Sequence, residues 1–240
     1  MRIFGILLIL VAMVFPFIWF PEIAKGRDTI ALFSQYMGIQ ALICMSIVQL
    51  IATRAFFVEW AFGGLDRSYI LHKWLGISSM VFLLIHDTVD AEMKGLGRQN
   101  MLEELAETLG ELSLYGLLIF VVITIATFIP YHLWKWTHRV MGGFFVAGSL
   151  HYLFILKPFL NGDPLGLYVS AFCVVGLLAF VWRLVPASMR PAKAYKVASI
   201  ETSGKATAVS FAPSSKPLRH NAGQFAFVSF AGQEPHPFSI

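Results

Sequence analysis

Four of the seven histidines lie inside long apolar segments of the chain. His72 and His86 share one segment, and His138 and His151 share another. An ionisable side chain at membrane depth is costly and usually functional. For a single histidine, a structural role, in which the side chain is packed and hydrogen-bonded to a neighbouring helix, is as good an explanation as a functional role. Two pairs in two segments favour ligand chemistry or a proton relay over packing alone.

The spacing within each pair determines where the imidazoles project from a helix. His72 and His86 are 14 residues apart, which places both on one helical face with an axial rise of about 21 Å. His138 and His151 are 13 residues apart, with a rise of about 19.5 Å but a rotation about 140° short of four turns. We therefore expect a tilt or a local irregularity in the second helix, with Gly142-Gly143 as the candidate position.

The segments that must position these histidines have the composition of membrane spans. The chain is 57% hydrophobic and 13% charged, with a mean hydropathy of +0.70, which is too apolar for one soluble core. Runs of about 20 apolar residues cross a hydrocarbon core, and they occur near residues 3–20, 30–53, 69–88, 112–130, 136–157 and 165–186. The first run has no small-residue cleavage site after it, so we interpret it as a true span. The predicted fold class is an all-α membrane domain, a six-transmembrane-helix bundle over residues 1–186.

The distribution of charge predicts the orientation of this bundle. Six spans put both termini on one side, and that side carries ten lysines and arginines near the span ends against five on the other. The positive-inside rule makes it the cytoplasmic side. The loop over residues 87–111 is acidic and is predicted to be external, with a short helix over 101–108. We expect an integral, multi-pass protein surrounded by membrane lipid, in the plasma (inner) membrane if the source is bacterial.

Charge and cysteine usage also exclude some classes of function. The basic residues form no stripe, which excludes nucleic acid as a partner. Cys44 and Cys173 both fall in apolar segments, so neither a disulfide framework nor a cysteine metal site is indicated. Any ligand chemistry therefore falls to histidine.

The third and fifth predicted spans run in the same direction, so their histidines match by depth. His72 and His138 lie at an inner level, and His86 and His151 lie at an outer level. Each level offers two imidazoles and no third protein ligand, which suits a haem iron with two axial positions better than zinc. Such a six-coordinate iron has no vacant site for oxygen or substrate and passes single electrons. The sequence thus predicts two haems stacked across the membrane.

Haem propionates need cationic partners. Arg54, Lys73 and Arg139 lie near the inner level and are candidates for this role. Ordinary positive-inside flanking explains each of the three equally well, so both interpretations stay open.

The composition changes after Arg183 to that of a soluble, strand-rich segment, with Pro186 and Pro191 in the linker. Short strands are predicted over residues 195–201, 206–211 and 224–230. A β-barrel begins in this segment, but about 50 residues are too few to complete it as an independent domain.

Two motifs in the soluble segment and the two histidine pairs together form a recognisable pattern. The pairs on the third and fifth spans, followed by Ala222-Gly223-Gln224-Phe225 and by His236-Pro237-Phe238-Ser239, resemble the ferric reductase and NADPH oxidase superfamily. The resemblance implies a ferric reductase-like transmembrane haem domain over residues 1–186. It also implies the N-terminal strands of an incomplete FAD-binding barrel of ferredoxin-reductase type over residues 187–240.

By the same resemblance, His72 and His138 ligate the inner b-type haem, and His86 and His151 ligate the outer one. The stretch 236–239 lies along the isoalloxazine ring of FAD. Relatives continue into a dinucleotide-binding domain that delivers a hydride from NADPH or NADH. The implied activity is that of an NAD(P)H-dependent transmembrane oxidoreductase, an electron-transport flavoprotein that reduces an external acceptor such as ferric iron or oxygen. No side chain of this chain is assigned a catalytic role.

Two observations bear on how far the resemblance extends. The sequence has no G-x-G-x-x-G or other nicotinamide-binding motif, so we expect a fragment of a longer protein rather than a reductase completed by a separate polypeptide. Superoxide-producing relatives carry an arginine in the outer half of the second span, where this chain has only the polar residues Ser34, Gln35, Tyr36 and Gln40. This difference argues against oxygen as the acceptor.

Two other functions compete with the transmembrane oxidoreductase. One is a haem-binding membrane subunit that relays electrons between a separate flavoprotein and a partner. The other is a helical transporter whose histidines relay protons.

Overall fold

The computed structural model describes residues 2–89, 101–125, 128–186, 189–218, 220, 225–230 and 235–239. The chain divides into two compact units, Met1–Arg183 and Leu184–Ile240. The first unit is helical and contains His72, His86, His138 and His151, the four histidines that the sequence predicts to be intramembrane, whereas the second contains the strands.

The first unit is built from helices joined by turns. Its elements in chain order are α1 (Ile3–Val14), a 3₁₀ segment (Phe15–Trp19), α2 (Phe20–Ile23), α3 (Thr29–Ala52), α4 (Phe56–Phe62), α5 (Leu65–Thr88), α6 (Met101–Ile125), α7 (Tyr131–Phe154) and α8 (Pro164–Leu184).

Five helical segments of the described chain are long and apolar enough to cross a membrane, which supports an integral, multi-pass membrane protein. They are Ile3–Ile23, Thr29–Ala52, Leu65–Thr88, Met101–Ile125 and Pro164–Leu184, and each overlaps a predicted span. The fifth predicted span, near residues 136–157, coincides with α7, which is 24 residues long. Helix α7 carries Lys135, Arg139 and three histidines and is not among the five. A bundle of six spans therefore stays a prediction.

Helix α6 differs from the prediction for the acidic segment before the fourth span. We expected a short external helix over 101–108 and a separate span from residue 112, but one helix runs unbroken over Met101–Ile125. The two parts join because an α-helical backbone satisfies its own hydrogen bonds on either side of a membrane boundary. Several acidic residues of the predicted loop therefore lie on the first turns of a helix: Glu103, Glu104, Glu107 and Glu111.

Helix α1 ends in a proline break whose freed carbonyls receive donors from other helices. Pro16 has no N–H group, so it cannot donate to the carbonyl of Ala12 one turn earlier. The Tyr168 hydroxyl of α8 donates to the Ala12 oxygen at 2.8 Å. The Tyr36 hydroxyl of α3 donates to the Met13 oxygen at 2.7 Å. These bonds satisfy backbone groups that water cannot reach in a bilayer, and they attach α1 to α3 and α8.

Helix α3 lies at the centre of the unit. It begins at Asp28, whose carboxylate accepts from the N–H groups of Ile30 and Ala31 and caps the first turn. Its middle residues, such as Ile43 and Cys44, are completely buried. Because α3 packs against α5, and α6 packs against α7, the histidine helices each have a dedicated neighbour.

Both cysteines are free and buried, Cys44 in α3 and Cys173 in α8.

The second unit contains two antiparallel strand pairs. Strand β1 (Tyr195–Ser203) pairs with β2 (Ala206–Pro213) through a tight turn in which Gly204 has a φ of +60°. Strand β3 (Phe225–Val228) pairs with β4 (His236–Ser239), with Phe225 opposite Ser239. The predicted strands are thus present, and β4 is an additional one. The described residues form two-stranded sheets, so a flavin-binding barrel stays a prediction.

Candidate functional site

The structure brings the four intramembrane histidines together as two pairs across α5 and α7. The ring centroids of His72 and His138 are 5.9 Å apart, and those of His86 and His151 are 6.5 Å apart. A metal ion bound on opposite sides by two imidazole nitrogens, at about 2.0–2.1 Å each, separates the ring centroids by about 6 Å. Both pairs therefore have the spacing of two axial ligands of one metal ion.

Helix α7 reaches this arrangement without the predicted irregularity. We expected a tilt or a local irregularity at Gly142-Gly143 to bring His138 and His151 onto one face, but α7 is a continuous α-helix over Tyr131–Phe154. The predicted local irregularity is therefore wrong. A change of rotamer swings an imidazole to either side of its Cα–Cβ bond, so two rings can meet their partners without a change in the backbone.

At the outer level, each histidine is anchored by a backbone carbonyl of the neighbouring helix. The Nδ1 atom of His86 lies 2.8 Å from the Ser34 carbonyl oxygen of α3. The Nδ1 atom of His151 lies 2.8 Å from the Ala106 carbonyl oxygen of α6. A carbonyl only accepts hydrogen bonds, so Nδ1 of each ring is the donor and carries the proton. The lone pair of a neutral ring is then on Nε2, which is the arrangement of a metal-ligating histidine.

The hydroxyl of Ser34 adds a second contact to His86. Its Oγ atom donates to the His86 carbonyl oxygen at 2.9 Å and lies 3.1 Å from His86 Nδ1. One residue of α3 therefore holds both the backbone and the ring of the outer histidine of α5.

At the inner level, the anchoring contacts are longer. The Nδ1 atom of His72 lies 3.2 Å from the Val48 carbonyl oxygen of α3. The Nδ1 atom of His138 lies 3.5 Å from the Thr124 hydroxyl oxygen of α6, and that hydroxyl donates to the Phe120 carbonyl oxygen at 2.7 Å. Because the hydroxyl hydrogen is already used, the Thr124 oxygen is an acceptor for His138. At the inner level, as at the outer level, Nδ1 is the donor and the lone pair of each neutral ring is on Nε2.

His138 has a further contact within α7. Its ring stacks on the indole of Trp134 with centroids 5.1 Å apart and planes 12° from parallel. The stacking gives Trp134 a part in orienting a candidate ligand.

These contacts follow one rule that the sequence analysis missed. Helix α3 supplies the Nδ1 partners for both histidines of α5, and α6 supplies those for both histidines of α7. A weak signal is present in the chain: Ser34 and Val48 are 14 residues apart, the same spacing as His72 and His86 on the antiparallel neighbour. Recognising it requires knowing which helices pack together.

A cavity of about 360 Å³ lies at the outer level and is lined by both outer histidines. Apolar side chains form much of its wall: Ile39, Leu42, Met45, Leu83, Leu114, Ile155 and Phe159. Charged and polar groups also line it: Gln35, Asp87, Glu107, Glu111 and Lys157. The cavity thus joins an apolar interior to a polar, mainly acidic border.

Lys157 is the basic residue of this border and was not among the predicted cofactor partners. Its Nζ atom donates to the Tyr152 carbonyl oxygen at 2.7 Å and lies 4.7 Å from the centre of the Tyr152 ring. Lys157 follows the end of α7, and its partial burial lowers the pKa of its ammonium group to about 8.

The three predicted propionate partners have other neighbours in the structure. The guanidinium carbon of Arg54 lies 5.6 Å from the centre of the Tyr69 ring, and Lys73 Nζ lies 5.9 Å from the centre of the Trp74 ring. Arg139 is exposed. A role for these residues at a haem stays a prediction.

The predicted flavin residues are partly described. His236, Pro237, Phe238 and Ser239 form β4 and are exposed. The Phe238 ring lies 6.2 Å from that of Phe230, which helps to pack β4 within its unit. Residues 222–224 of the Ala-Gly-Gln-Phe motif lie outside the described residues.

Residues 37–149 match a protein family described as the ferric reductase like transmembrane component. The match covers slightly less than half of the chain and includes His72, His86 and His138, whereas His151 lies two residues beyond its end. It supports a place in the ferric reductase-like superfamily of transmembrane oxidoreductases. No curated protein matches the chain.

Proposed function

We propose that the protein carries single electrons across a membrane through two b-type haems. His72 and His138 are the axial ligands of the inner haem, and His86 and His151 are those of the outer haem. The observation that carries the proposal is the pair of facing imidazoles at each of two depths, with every Nδ1 atom directed at an acceptor on the neighbouring helix.

The side chains around the histidine pairs are compatible with the binding of a porphyrin. The outer cavity lies beside both histidines, and much of its wall is apolar, as a flat hydrocarbon macrocycle requires. Gly38, Gly110 and Gly148 also line it. The ring centroids of the inner imidazoles are 5.9 Å apart, close to the 6.5 Å of the outer pair. When bound, haem supplies reversible one-electron chemistry.

The chain's own groups control how such a site works. The acceptors on α3 and α6 hold each imidazole in one tautomer and one orientation, which raises its basicity as a ligand. With haem bound, the two histidines of each level would hold the iron and would leave no position for oxygen or another small ligand to bind. The two levels, about 20 Å apart along the helices, divide the membrane crossing into shorter steps. An electron that crosses gains or loses about 2.3 kcal/mol per 100 mV of membrane potential.

The remaining parts of the proposal rest on the family resemblance. Electrons enter from FAD on the cytoplasmic side, where NADPH or NADH reduces the flavin in the intact protein. The second unit is the start of the flavin-binding barrel, and residues 236–239 of β4 contact the flavin. Electrons leave the outer haem to an external acceptor such as ferric iron or oxygen. The termini are cytoplasmic, as the distribution of lysine and arginine indicates.

Alanine substitutions at the two levels test the ligand assignment. In His86→Ala, purified in detergent, we expect loss of the outer haem and retention of the inner one; His72→Ala should give the reverse. His86→Met offers a thioether ligand and should restore six-coordination with a raised potential. His132→Ala is the matched control, because His132 is an exposed histidine on α7. Loss of both haems or of neither in both alanine variants would contradict the assignment.

A further inference from the structure

Each outer histidine lies against a glycine of the neighbouring helix. A Cβ atom at Gly38 of α3 would lie 3.2 Å from three atoms of the His86 ring, Nδ1, Cε1 and Nε2. A Cβ atom at Gly110 of α6 would lie 2.7 Å from Nδ1 and 3.0 Å from Cε1 of His151. Contacts this short require the ring or the helix to move, so both positions accept an imidazole only because they lack a side chain.

The rings cannot move away without losing their anchors. His86 is bonded to the carbonyl of Ser34, four residues before Gly38, and His151 to the carbonyl of Ala106, four residues before Gly110. On both helices, a carbonyl and a glycine one helical turn apart thus contact the same imidazole. The carbonyl accepts the hydrogen bond from Nδ1, and the glycine, which has no side chain, lets the ring approach the helix backbone closely.

We propose that Gly38 and Gly110 are positioning residues that fix the orientation of the two outer histidines. The inference rests on the proposed haem function and extends it to two residues that bear no functional group. A methyl group at either position would turn the imidazole and redirect Nε2, while the inner histidines keep their places. Among the glycines that the structure describes, these two alone have histidine ring atoms as the nearest neighbours of an added Cβ. The effect is therefore specific to the outer level.

The steric clash of an added methyl group is more severe at Gly110 than at Gly38, so the two alanine variants should differ in their effect. The 2.7 Å approach at Gly110 is shorter than side chains tolerate, whereas the 3.2 Å approaches at Gly38 require a shift of a few tenths of an ångström. Gly110→Ala should therefore disturb the outer site more than Gly38→Ala.

Two glycines serve as matched controls. A Cβ at Gly143 of α7 has no heavy atom within 4 Å, so Gly143→Ala tests the substitution without a clash. A Cβ at Gly116 of α6 would lie 2.2 Å from the Phe144 ring, so Gly116→Ala adds a severe clash on the same helix as Gly110 but against a side chain that binds no haem.

The experiment measures haem content per chain, the redox titration of each haem and the electron paramagnetic resonance signal of each ferric iron. The full chain is purified in detergent, and only monodisperse fractions are compared. We expect Gly110→Ala to lose the outer haem and keep the inner one. Gly38→Ala should keep both haems but shift the potential and resonance signal of the outer one alone. Gly143→Ala should match the wild type, and Gly116→Ala should lower thermal stability without a selective effect on the outer haem.

An unchanged outer haem in Gly38→Ala and Gly110→Ala, or an equal loss of both haems in each, would overturn the inference. If Gly110→Ala does not fold, Gly38→Ala tests the inference by itself. The potential and the resonance signal of its outer haem must then differ from those of the wild type. A wild-type protein that binds no haem would instead refute the proposed function, so the two failures are distinguishable.

Discussion

Removal of the charge of Lys157 is expected to lower the reduction potential of the outer haem. Lys157 borders the outer cavity, and its charge acts on the His151 imidazole. A positive charge favours the state with the additional electron, so the charged lysine raises the potential. Lys157→Met removes that charge and keeps a flexible side chain of similar length.

The size of the effect follows from the dimensions of the cavity. A volume of about 360 Å³ corresponds to a width of about 9 Å, and two unit charges at that distance interact by about 1.8 kcal/mol at an effective dielectric constant of 20. At 2.3 kcal/mol per 100 mV, the full charge is worth about 80 mV. The acidic residues of the border are present in wild type and variant alike, so their contribution cancels in the comparison.

The lowered pKa of Lys157 gives the effect a distinctive pH dependence. With a pKa of about 8, the ammonium group is about nine-tenths protonated at pH 7 and about one-tenth protonated at pH 9. The wild-type outer haem should therefore lie about 70 mV above that of Lys157→Met at pH 7 and less than about 10 mV above it at pH 9.

Redox titrations of both haems at the two pH values provide the assay. Lys157→Arg is the control, because arginine stays charged throughout and should keep the higher potential at pH 9. The inner haem should be the same in all three proteins. A potential of the outer haem that is equal in wild type and Lys157→Met at pH 7 would refute the reasoning.

Two further substitutions test other parts of the account. Tyr168→Phe removes the donor to the Ala12 carbonyl, which should cost about 1–3 kcal/mol and lower the Tm by about 2–12 °C. Tyr36→Phe should cost less, because the Gln40 amide still donates to the Met13 carbonyl at 3.0 Å; equal Tm values for Tyr168→Phe and wild type would contradict the role of the proline break. Thr124→Val should weaken binding of the inner haem by no more than about tenfold, the lower end for such a partner, since its contact with His138 is long. Titration of the apo protein with haem measures the binding at each level. Weaker binding of the outer haem in place of the inner one would contradict the pairing of Thr124 with the inner level.

The sequence was sufficient to predict which histidines meet. Pairing of His72 with His138 and of His86 with His151 follows from helical rise and from the shared direction of two spans, both of which are properties of local sequence. The strands were also predictable, because β1, β2 and β3 have the composition and turns of short strands.

The anchoring of the rings could not be predicted in the same way. The outer partners of Nδ1 are the backbone carbonyls of Ser34 and Ala106, and a carbonyl is present at every residue. Gly38 and Gly110 are likewise two glycines among many until the packing of α3 on α5 and of α6 on α7 is known. Tertiary packing selects these groups, so a single sequence contains no local pattern that identifies them.

Two local predictions were wrong for related reasons. The 140° phase difference between His138 and His151 suggested a tilt or a local irregularity at Gly142-Gly143, but α7 is a continuous α-helix over Tyr131–Phe154, and side-chain rotamers have the freedom to accommodate such a difference. The acidic residues before the fourth span suggested a loop, but α6 extends through them. In both cases the hydrogen-bonded helix continued, because nothing in the sequence interrupts its backbone ladder.

The most direct test of the central claim is a reduced-minus-oxidised absorption spectrum of the purified chain, with haem quantified per polypeptide. The account predicts two b-type haems per chain, both six-coordinate. A chain that contains no haem, and that binds none on reconstitution, would contradict it.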